Sequence, residues 1–216
     1  MNSASRDAIL GRVREALHRK AGDVIEDAPP VRLDVPELGV PARIAGFRER
    51  FEALNGKVHV VSSRDGARQA ITEILNGRAA VASNARFLEE CGIGWLSSVR
   101  TGLTDREELK AACAEAPVGI TSAQYAIAST GTLAMLSSAE EPRLVSLLPP
   151  AHIAVIPASR ILVNLDELFE KLPLPADVTS ALVFISGPSR TADIEQILVR
   201  GVHGPGEIHV VIVEGC

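Results

Sequence analysis

The sequence has few cysteines and no arrangement of them that is typical of a metal site. Cys91, Cys113 and Cys216 are far apart and odd in number, so they form no CxxC pair, zinc-ligand spacing or iron–sulfur run. We therefore expect three reduced thiols and no metal or iron–sulfur cofactor in this chain.

Long runs of one kind of side chain are also missing. The formal net charge is −5, and Lys and Arg are scattered among acids, whereas nucleic acids and anionic membranes require a concentrated basic face. No 18 apolar residues follow one another, and more charged residues, not an apolar segment, follow Met1 to Asp7. These absences predict a cytoplasmic protein that neither binds nucleic acid nor inserts into a membrane.

Three familiar motifs of catalysis and nucleotide binding are absent as well. No serine lies in a G-x-S-x-G sequence, the glycines form no G-x-G-x-x-G, and no G-K-S/T occurs. A serine hydrolase is therefore disfavoured, and nucleotide binding has no motif to support it.

Strand and helix patterns alternate along most of the chain. Residues 181–185 and 210–213 are apolar without alternation, as expected for strands that helices cover on both sides. The alternation predicts an α/β fold with a largely parallel central sheet and helices on both faces. Closely spaced strand patterns between Gly131 and Ile156, one of them at residues 143–148, predict a hairpin or an antiparallel addition to that sheet.

The first 41 residues differ from the rest. Residues 5–20 place Ile9, Val13 and Leu17 on one helical stripe, whereas residues 21–41 contain four prolines and little periodicity. We predict an N-terminal amphipathic helix and a Pro-rich linker in residues 1–41, followed by one domain in residues 42–216.

One candidate binding segment joins the predicted strand 181–185 to a predicted helix at residues 191–200. Its turn would direct backbone N–H groups at one point, where an anion is favoured and Arg190 adds a planar cation. A purely structural turn explains the same residues, with Thr191 as N-cap and acids that complement the helix dipole. Both interpretations stay open for the candidate residues Ser186, Gly187, Ser189, Arg190, Thr191, Asp193 and Glu195.

A second candidate segment is crowded with small and hydroxyl side chains. If strands 117–120 and 181–185 are parallel neighbours, Thr121 and Ser186 lie at one carboxyl edge and the two segments form one pocket. The predicted helix 191–200 would carry His203 to the opposite edge from Arg190. The alternative is that the hydroxyls satisfy the backbone of turns. The candidates here are Thr121, Ser122, Gln124, Ser129, Thr130, Gly131 and Thr132.

Four motifs, in this order, resemble the LUD-domain family and, within it, the lactate-utilisation protein C members. They are Gly119-Ile120-Thr121 through Ser129-Thr130-Gly131-Thr132, Leu147-Leu148-Pro149-Pro150-Ala151-His152-Ile153-Ala154-Val155, Ser186-Gly187-Pro188-Ser189-Arg190-Thr191-Ala192-Asp193-Ile194-Glu195, and Gly201-Val202-His203-Gly204-Pro205. The resemblance implies a fold like that of NagB, ribose-phosphate isomerase and CoA transferases. It also implies a component of a system that oxidises L-lactate to pyruvate with two iron–sulfur partner proteins, which carry the clusters.

The resemblance also marks two departures. Family members often carry Asp at the position of Gln124 and Glu at that of Ser129, and an amide and a hydroxyl cannot take up a proton as a carboxylate does. The leading hypothesis is an accessory or substrate-binding component in which Arg190 receives a small organic or phosphate anion. The alternatives are a free-standing phosphosugar-isomerase-like or acyl/CoA-transferase-like enzyme that uses Asp193 or Glu195, and a non-catalytic scaffold.

Overall fold

A computed structural model of the chain describes residues 3–20, 22, 35–172, 178–192, 198–200 and 203–216, without the side chains of residues 3, 4, 190–192 and 198–200. The chain divides into two compact units, residues 1–33 and 34–216. The first unit contains the predicted N-terminal helix, α1 (Ser3–Ala16). The apolar stripe of Ile9, Val13 and Leu17 is exposed.

The second unit is built around a six-stranded sheet whose strands all run parallel, which confirms the predicted fold class. The strands, numbered in chain order, are β1 (Lys57–Val61), β2 (Ala80–Ala82), β3 (Val99–Arg100), β4 (Val118–Ser122), β7 (Ala151–Pro157) and β12 (Glu207–Val213). Their order in the sheet is β1-β12-β7-β4-β2-β3. Strands β4 and β7 are buried over their whole length, as their apolar sequences predict.

Helices pack on both faces of this sheet. They are α2 (Val40–Ala53), α3 (Arg64–Leu75), α4 (Arg86–Glu90), α5 (Arg106–Glu115) and α6 (Arg143–Leu147). A further helix, α7 (Leu165–Lys171), packs Leu168 against Ile127, Ala134 and Leu162 instead. Alternate residues of β7 point to opposite faces. Ile153 and Val155 join one apolar core with α3 and α4, whereas Ala154 and Ile156 join another with α2.

Local capping chemistry explains where several helices begin. The Ser63 hydroxyl accepts the N–H of Gly66 at the start of α3, and Asp105 accepts the N–H groups of Glu107 and Glu108 at the start of α5. The cap of α5 is therefore Asp105, although Thr104 and Glu107 have the spacing of a capping box. The N-cap of α4 is Ala85 and not the adjacent Asn84, whose side chain bonds Leu103 and Gly102.

The antiparallel strands form a second sheet of their own. It contains β5 (Tyr125–Ile127), β6 (Thr132–Leu136), β8 (Ile161–Leu162) and β9 (Leu182–Ile185), in the order β8-β5-β6-β9. Strand β6 pairs antiparallel with both β5 and β9. Two expectations are therefore wrong: residues 181–185 are not a central parallel strand, and residues 143–148 form helix α6. An apolar run does not by itself specify a pairing partner.

The segment after β9 is a strand pair where the sequence predicts a helix. Strands β10 (Arg190–Ala192) and β11 (Leu198–Arg200) pair antiparallel, with Arg190 opposite Arg200. The predicted helix at residues 191–200, and Thr191 as its N-cap, are therefore wrong. The Ser189 N–H donates to the Pro205 carbonyl at 2.9 Å, so the residue after this excursion lies beside the residue that precedes β10. His203 accordingly does not lie at the opposite edge from this turn.

Candidate functional site

The connections of the central sheet reverse direction between the neighbouring strands β2 and β4. From β2 the chain passes through α4 to the outer strand β3, and from β4 it passes through β5, β6 and α6 to β7 on the other side. In open parallel sheets, ligands bind beyond the carboxyl ends of strands at such a reversal. Ser83, which follows β2, and Ser122, the last residue of β4, lie at this position.

A buried carboxyl group, Glu141, approaches this crevice. Its side chain is 5 % exposed, and its Oε1 accepts the Ser122 backbone N–H at 2.7 Å. Burial raises the pKa of Glu141 to about 8, against the opposing effect of the hydrogen bond from Ser122 and of the nearby Ser83 hydroxyl. Glu141 therefore holds a proton at neutral pH, and a carboxyl group with such a pKa can donate or accept a proton there.

Two buried polar atoms at this position have no hydrogen-bond partner within the part of the chain that the structure describes. They are Glu141 Oε2 and Ser83 Oγ, and Ser83 is 3 % exposed. The hydroxyl lies near enough to Glu141 to lower its pKa, but the two atoms do not meet in hydrogen-bonding geometry. Buried polar groups in native proteins nearly always have partners, so such a pair is typical of a functional position.

A cavity of about 320 Å³ opens beside Ser83. Asn84 fixes its wall, since its Nδ2 donates to the Leu103 carbonyl at 3.1 Å and its Oδ1 accepts the Gly102 N–H at 2.8 Å. Trp95 also lines the cavity and is 79 % exposed. The cavity is thus lined by the buried Ser83 hydroxyl, by the Asn84 side chain held in two hydrogen bonds, and by the exposed Trp95 ring.

A larger groove of about 1080 Å³ lies between α5 and α6. Arg106, Lys110 and Arg143 line it together with one acid, Glu107, and the three serines Ser137, Ser138 and Ser180. None of the three cations forms an ion pair with another residue in the described part of the chain. Cations and hydroxyls in this combination are suited to accept an anion.

The start of the second candidate segment, from Thr121 to Gln124, is largely occupied with internal contacts. Thr121 is buried, and its Oγ1 lies 2.8 Å from His152 Nε2, whose pKa burial lowers to about 4. Gln124 Oε1 accepts the Leu136 N–H at 2.7 Å. Helix α6 packs closely against Gly119, because a Cβ at this glycine would overlap the Val145 carbonyl oxygen. Ser122 is the member of this segment whose backbone contacts Glu141.

The turn between β5 and β6 brings other predicted residues together. The Thr130 hydroxyl donates to Thr132 Oγ1 at 2.8 Å, and Thr132 Oγ1 lies 2.9 Å from Ser186 Oγ. Gly131 has a φ of +62°, and a Cβ there would lie 2.6 Å from the Phe51 nitrogen. The Ser129 N–H donates to the Val163 carbonyl at 2.9 Å. This hydroxyl cluster, Thr130, Thr132 and Ser186, is therefore held against helix α2.

The hydroxyl cluster and the Glu141 crevice lie at opposite edges of the central sheet. A Cβ at Gly187 would lie 3.1 Å from Leu54 Cβ, shortly before β1, and Ser189 bonds Pro205, shortly before β12. The cluster is thus at the amino edge, so the predicted common pocket of Thr121 and Ser186 is wrong. Arg190 and Thr191 lie in β10 with side chains outside the described residues, and Asp193 and Glu195 lie outside them entirely. Ligand binding by the predicted residues stays a prediction.

Two histidines for which the sequence suggests no partner contact each other. His59 Nε2 lies 3.0 Å from His209 Nδ1, and His209 Nε2 lies 2.8 Å from Glu207 Oε1. Burial is the first cause that lowers the pKa of both histidines. The hydrogen bond from His209, with further contributions from Arg78 and Lys57, lowers the pKa of Glu207 to about 2. Parallel pairing of β1 with β12 creates this contact, which sequence spacing does not reveal.

The main site residues that sequence reasoning missed are Ser83 and Glu141. A Ser-Asn pair directly after strand β2 is a signal that could have indicated Ser83. Glu141 has no such signal, because a loop carboxylate becomes buried only through tertiary contacts. In the residues that the structure describes, no cluster of three or more His, Cys, Asp or Glu side chains is placed to hold a metal. Within the same residues, no helix has the length and apolar character needed to cross a membrane.

Comparison with known proteins gives matches over most of the chain. The LUD domain family model matches residues 44–213. "Lactate utilization protein C" of Halalkalibacterium halodurans is 42 % identical over 51 % of this chain and 50 % of that protein. "Lactate utilization protein C" of Shouchella clausii is 34 % identical, and "Uncharacterized protein YkgG" of Escherichia coli is 35 % identical. Each of these two alignments covers 66 % of this chain and 65 % of the relative, so the chain spans half to about two thirds of these relatives.

A solved structure shares the fold. The crystal structure of a DUF162 family protein from Deinococcus radiodurans superposes with a TM-score of 0.64 and 21 % sequence identity. The superposition covers 82 % of this chain and 99 % of that one. At this level of identity the likeness concerns the architecture alone.

Proposed function

The chain belongs to the LUD domain family, and we propose that it is a component of a lactate-utilisation system. The observation that carries this proposal is its 34–42 % identity to proteins named lactate utilization protein C. In the finer form of the proposal, the system oxidises L-lactate to pyruvate in the cytoplasm. Two iron–sulfur partner proteins carry the electrons, and this chain is an accessory or substrate-binding component without a cofactor of its own.

The basic groove between α5 and α6 supports the binding part of this role. Arg106, Lys110 and Arg143 surround a space with three serines, and charge-assisted hydrogen bonds from such groups favour carboxylate or phosphate oxygens. Arg190 remains the other proposed contact for a small organic or phosphate anion. A substrate-binding component needs an anion site of this kind, because lactate and pyruvate are carboxylates at neutral pH.

A second candidate function is favoured by Glu141. An independent isomerase-like or transferase-like enzyme needs an acid or base where the strands of the central sheet end. Glu141 supplies a carboxyl group there, with a pKa of about 8. Turnover of sugar phosphates or acyl-CoA by the pure chain, lost in Glu141→Gln, would support this enzyme. Absence of turnover with both substrate classes favours the accessory role.

Growth on lactate tests the leading proposal. Deletion of the gene in its native host is expected to abolish growth on L-lactate and to leave growth on pyruvate unchanged, because only the oxidation step is lost. The wild-type gene should restore growth, as should Arg86→Ala, which alters a 90 % exposed side chain remote from the basic groove. Equal growth of the deletion strain and the parent on L-lactate would refute the proposal.

Arg190→Ala is expected to weaken binding of a small anion and to leave folding nearly intact. Loss of a charge-assisted, bidentate contact costs about 1.5 to 3 kcal/mol, roughly ten- to a hundred-fold in affinity. Thermal melts with phosphate, lactate and pyruvate, compared with those of Arg86→Ala, measure the effect. A lower melting temperature with unchanged ligand-induced shifts would instead assign Arg190 a structural ion pair.

A further inference from the structure

The indole ring of Trp95 is held in an exposed position by its neighbours. It ends a short 3-10 turn, Ile93–Trp95, which follows Gly92 in the left-handed conformation with a φ of +66°. A Cβ at Gly92 would lie 2.7 Å from the indole and 2.8 Å from Arg68 Nη1, so glycine allows both groups to pack there. The Arg68 guanidinium lies over the ring, 5.6 Å from its centroid. The ring is therefore supported from one side, although 79 % of the residue is exposed.

The supported ring lines the cavity at the strand reversal. A large exposed aromatic side chain is informative because its burial would be favourable, and every planar heterocycle can stack on it. Polar groups line the cavity as well: Ser83 Oγ is buried without a partner among the described residues, and Thr101 also lines the space. A ligand that stacks on Trp95 could therefore accept a hydrogen bond from Ser83.

Size and charge restrict the ligand further. A volume of about 320 Å³ is at the small end of ligand pockets and suits a nucleobase or nucleoside better than a dinucleotide. The described lining contains one acid, Glu89, and no Lys or Arg. The Arg68 guanidinium beside the indole is paired with Asp65 at 2.7 Å. A carboxylate or phosphate would therefore meet the charge of Glu89 with no unpaired cation in the described lining, so a neutral ligand is favoured over lactate and pyruvate.

We propose that this cavity binds a neutral, planar nitrogen heterocycle of nucleobase or nucleoside size. The ring stacks on Trp95, and a ring nitrogen or carbonyl oxygen accepts a hydrogen bond from the Ser83 hydroxyl. This inference does not rest on the proposed role in lactate utilisation.

Fluorescence gives a direct measurement, because Trp95 is the only tryptophan of the chain. Adenosine and nicotinamide are the probes, and cyclohexanecarboxamide is a saturated control that cannot stack. We expect saturable quenching or a spectral shift with at least one planar probe and no saturable change with the control. Sodium lactate and sodium pyruvate should also give no saturable change. Absence of saturation by both planar probes up to about 10 mM, a range that includes weak sites, would overturn the proposal.

Two variants assign the contacts. Ser83→Ala should lower the affinity for the probe that binds by about fivefold to tenfold, as expected for loss of one hydrogen bond. Ser97→Ala, which changes an exposed serine outside the cavity, should leave this affinity unchanged. Trp95→Ala should abolish binding measured by calorimetry, and Trp95→Phe should retain part of it because a planar ring remains. Circular dichroism checks the fold of each variant. Unchanged affinity in both Ser83→Ala and Trp95→Phe, together with retained binding in Trp95→Ala, would place the ligand elsewhere.

Discussion

Gly119→Ala is expected to destabilise the second unit by about 3 kcal/mol, the upper part of the range for overpacking a core. Gly119 is the second residue of the buried strand β4, and an added Cβ would overlap the Val145 carbonyl oxygen and lie 3.1 Å from Pro149 Cγ. The obstacle is backbone, so it cannot rotate away as a side chain would. For a chain of this size the melting temperature should fall by roughly 6 to 12 °C.

Gly39→Ala is the matched control for this substitution. Gly39 has a φ of −65°, and a Cβ there would meet Pro41 Cδ at an ordinary 3.8 Å. Its melting temperature should remain close to that of the wild type in the same calorimetric scan. Equal stability of Gly119→Ala and Gly39→Ala would show that α6 does not pack on β4 as described.

Glu141→Gln is expected to stabilise the protein at alkaline pH. The folded state holds the Glu141 proton to a pKa of about 8, above the usual 4.5, so it binds more protons than the unfolded state between these values. The free energy of unfolding therefore falls as pH rises through this window, by about 5 kcal/mol if the whole shift is expressed. Glutamine keeps the oxygen that accepts the Ser122 N–H but does not ionise, so the variant avoids this loss.

Urea unfolding from pH 5 to pH 9 measures the difference. The variant and the wild type should be close in stability near pH 5 and should diverge as pH rises, the variant being more stable at pH 9. His59, His152 and His209 have lowered pKa values and make stability rise with pH below about 6.5, but they do so equally in both proteins. Glu140→Gln, which changes the exposed neighbour, should not reproduce the divergence. Parallel pH curves for Glu141→Gln and the wild type would contradict burial of an uncharged Glu141.

The sequence was sufficient for most helices and for the parallel sheet because their signals are local. Helix α3 follows a helical hydrophobic periodicity, and strands β7 and β12 are continuous apolar runs; both signals depend on residues close together in the chain. The sequence pattern predicts the wrong element at residues 143–148, which contain helix α6, and at residues 191–200, which include strand β11. Short apolar or β-branched stretches fit a helix and a strand almost equally well, and neighbours distant in sequence decide between them.

The sequence by itself determined the α/β class, the family membership and the hydroxyl-rich segments at Thr121 to Thr132 and after Ile185. Only the tertiary structure decided that Thr121 and Ser122 lie at the opposite edge from Thr130, Thr132 and Ser186, because β9 pairs with β6 in a second sheet and not with β4. It also decided that Glu141 is the buried acid of the crevice. A carboxyl pKa depends on how much water surrounding elements exclude, and residues brought together from β2, β4 and the loop before α6 have no fixed spacing in the chain.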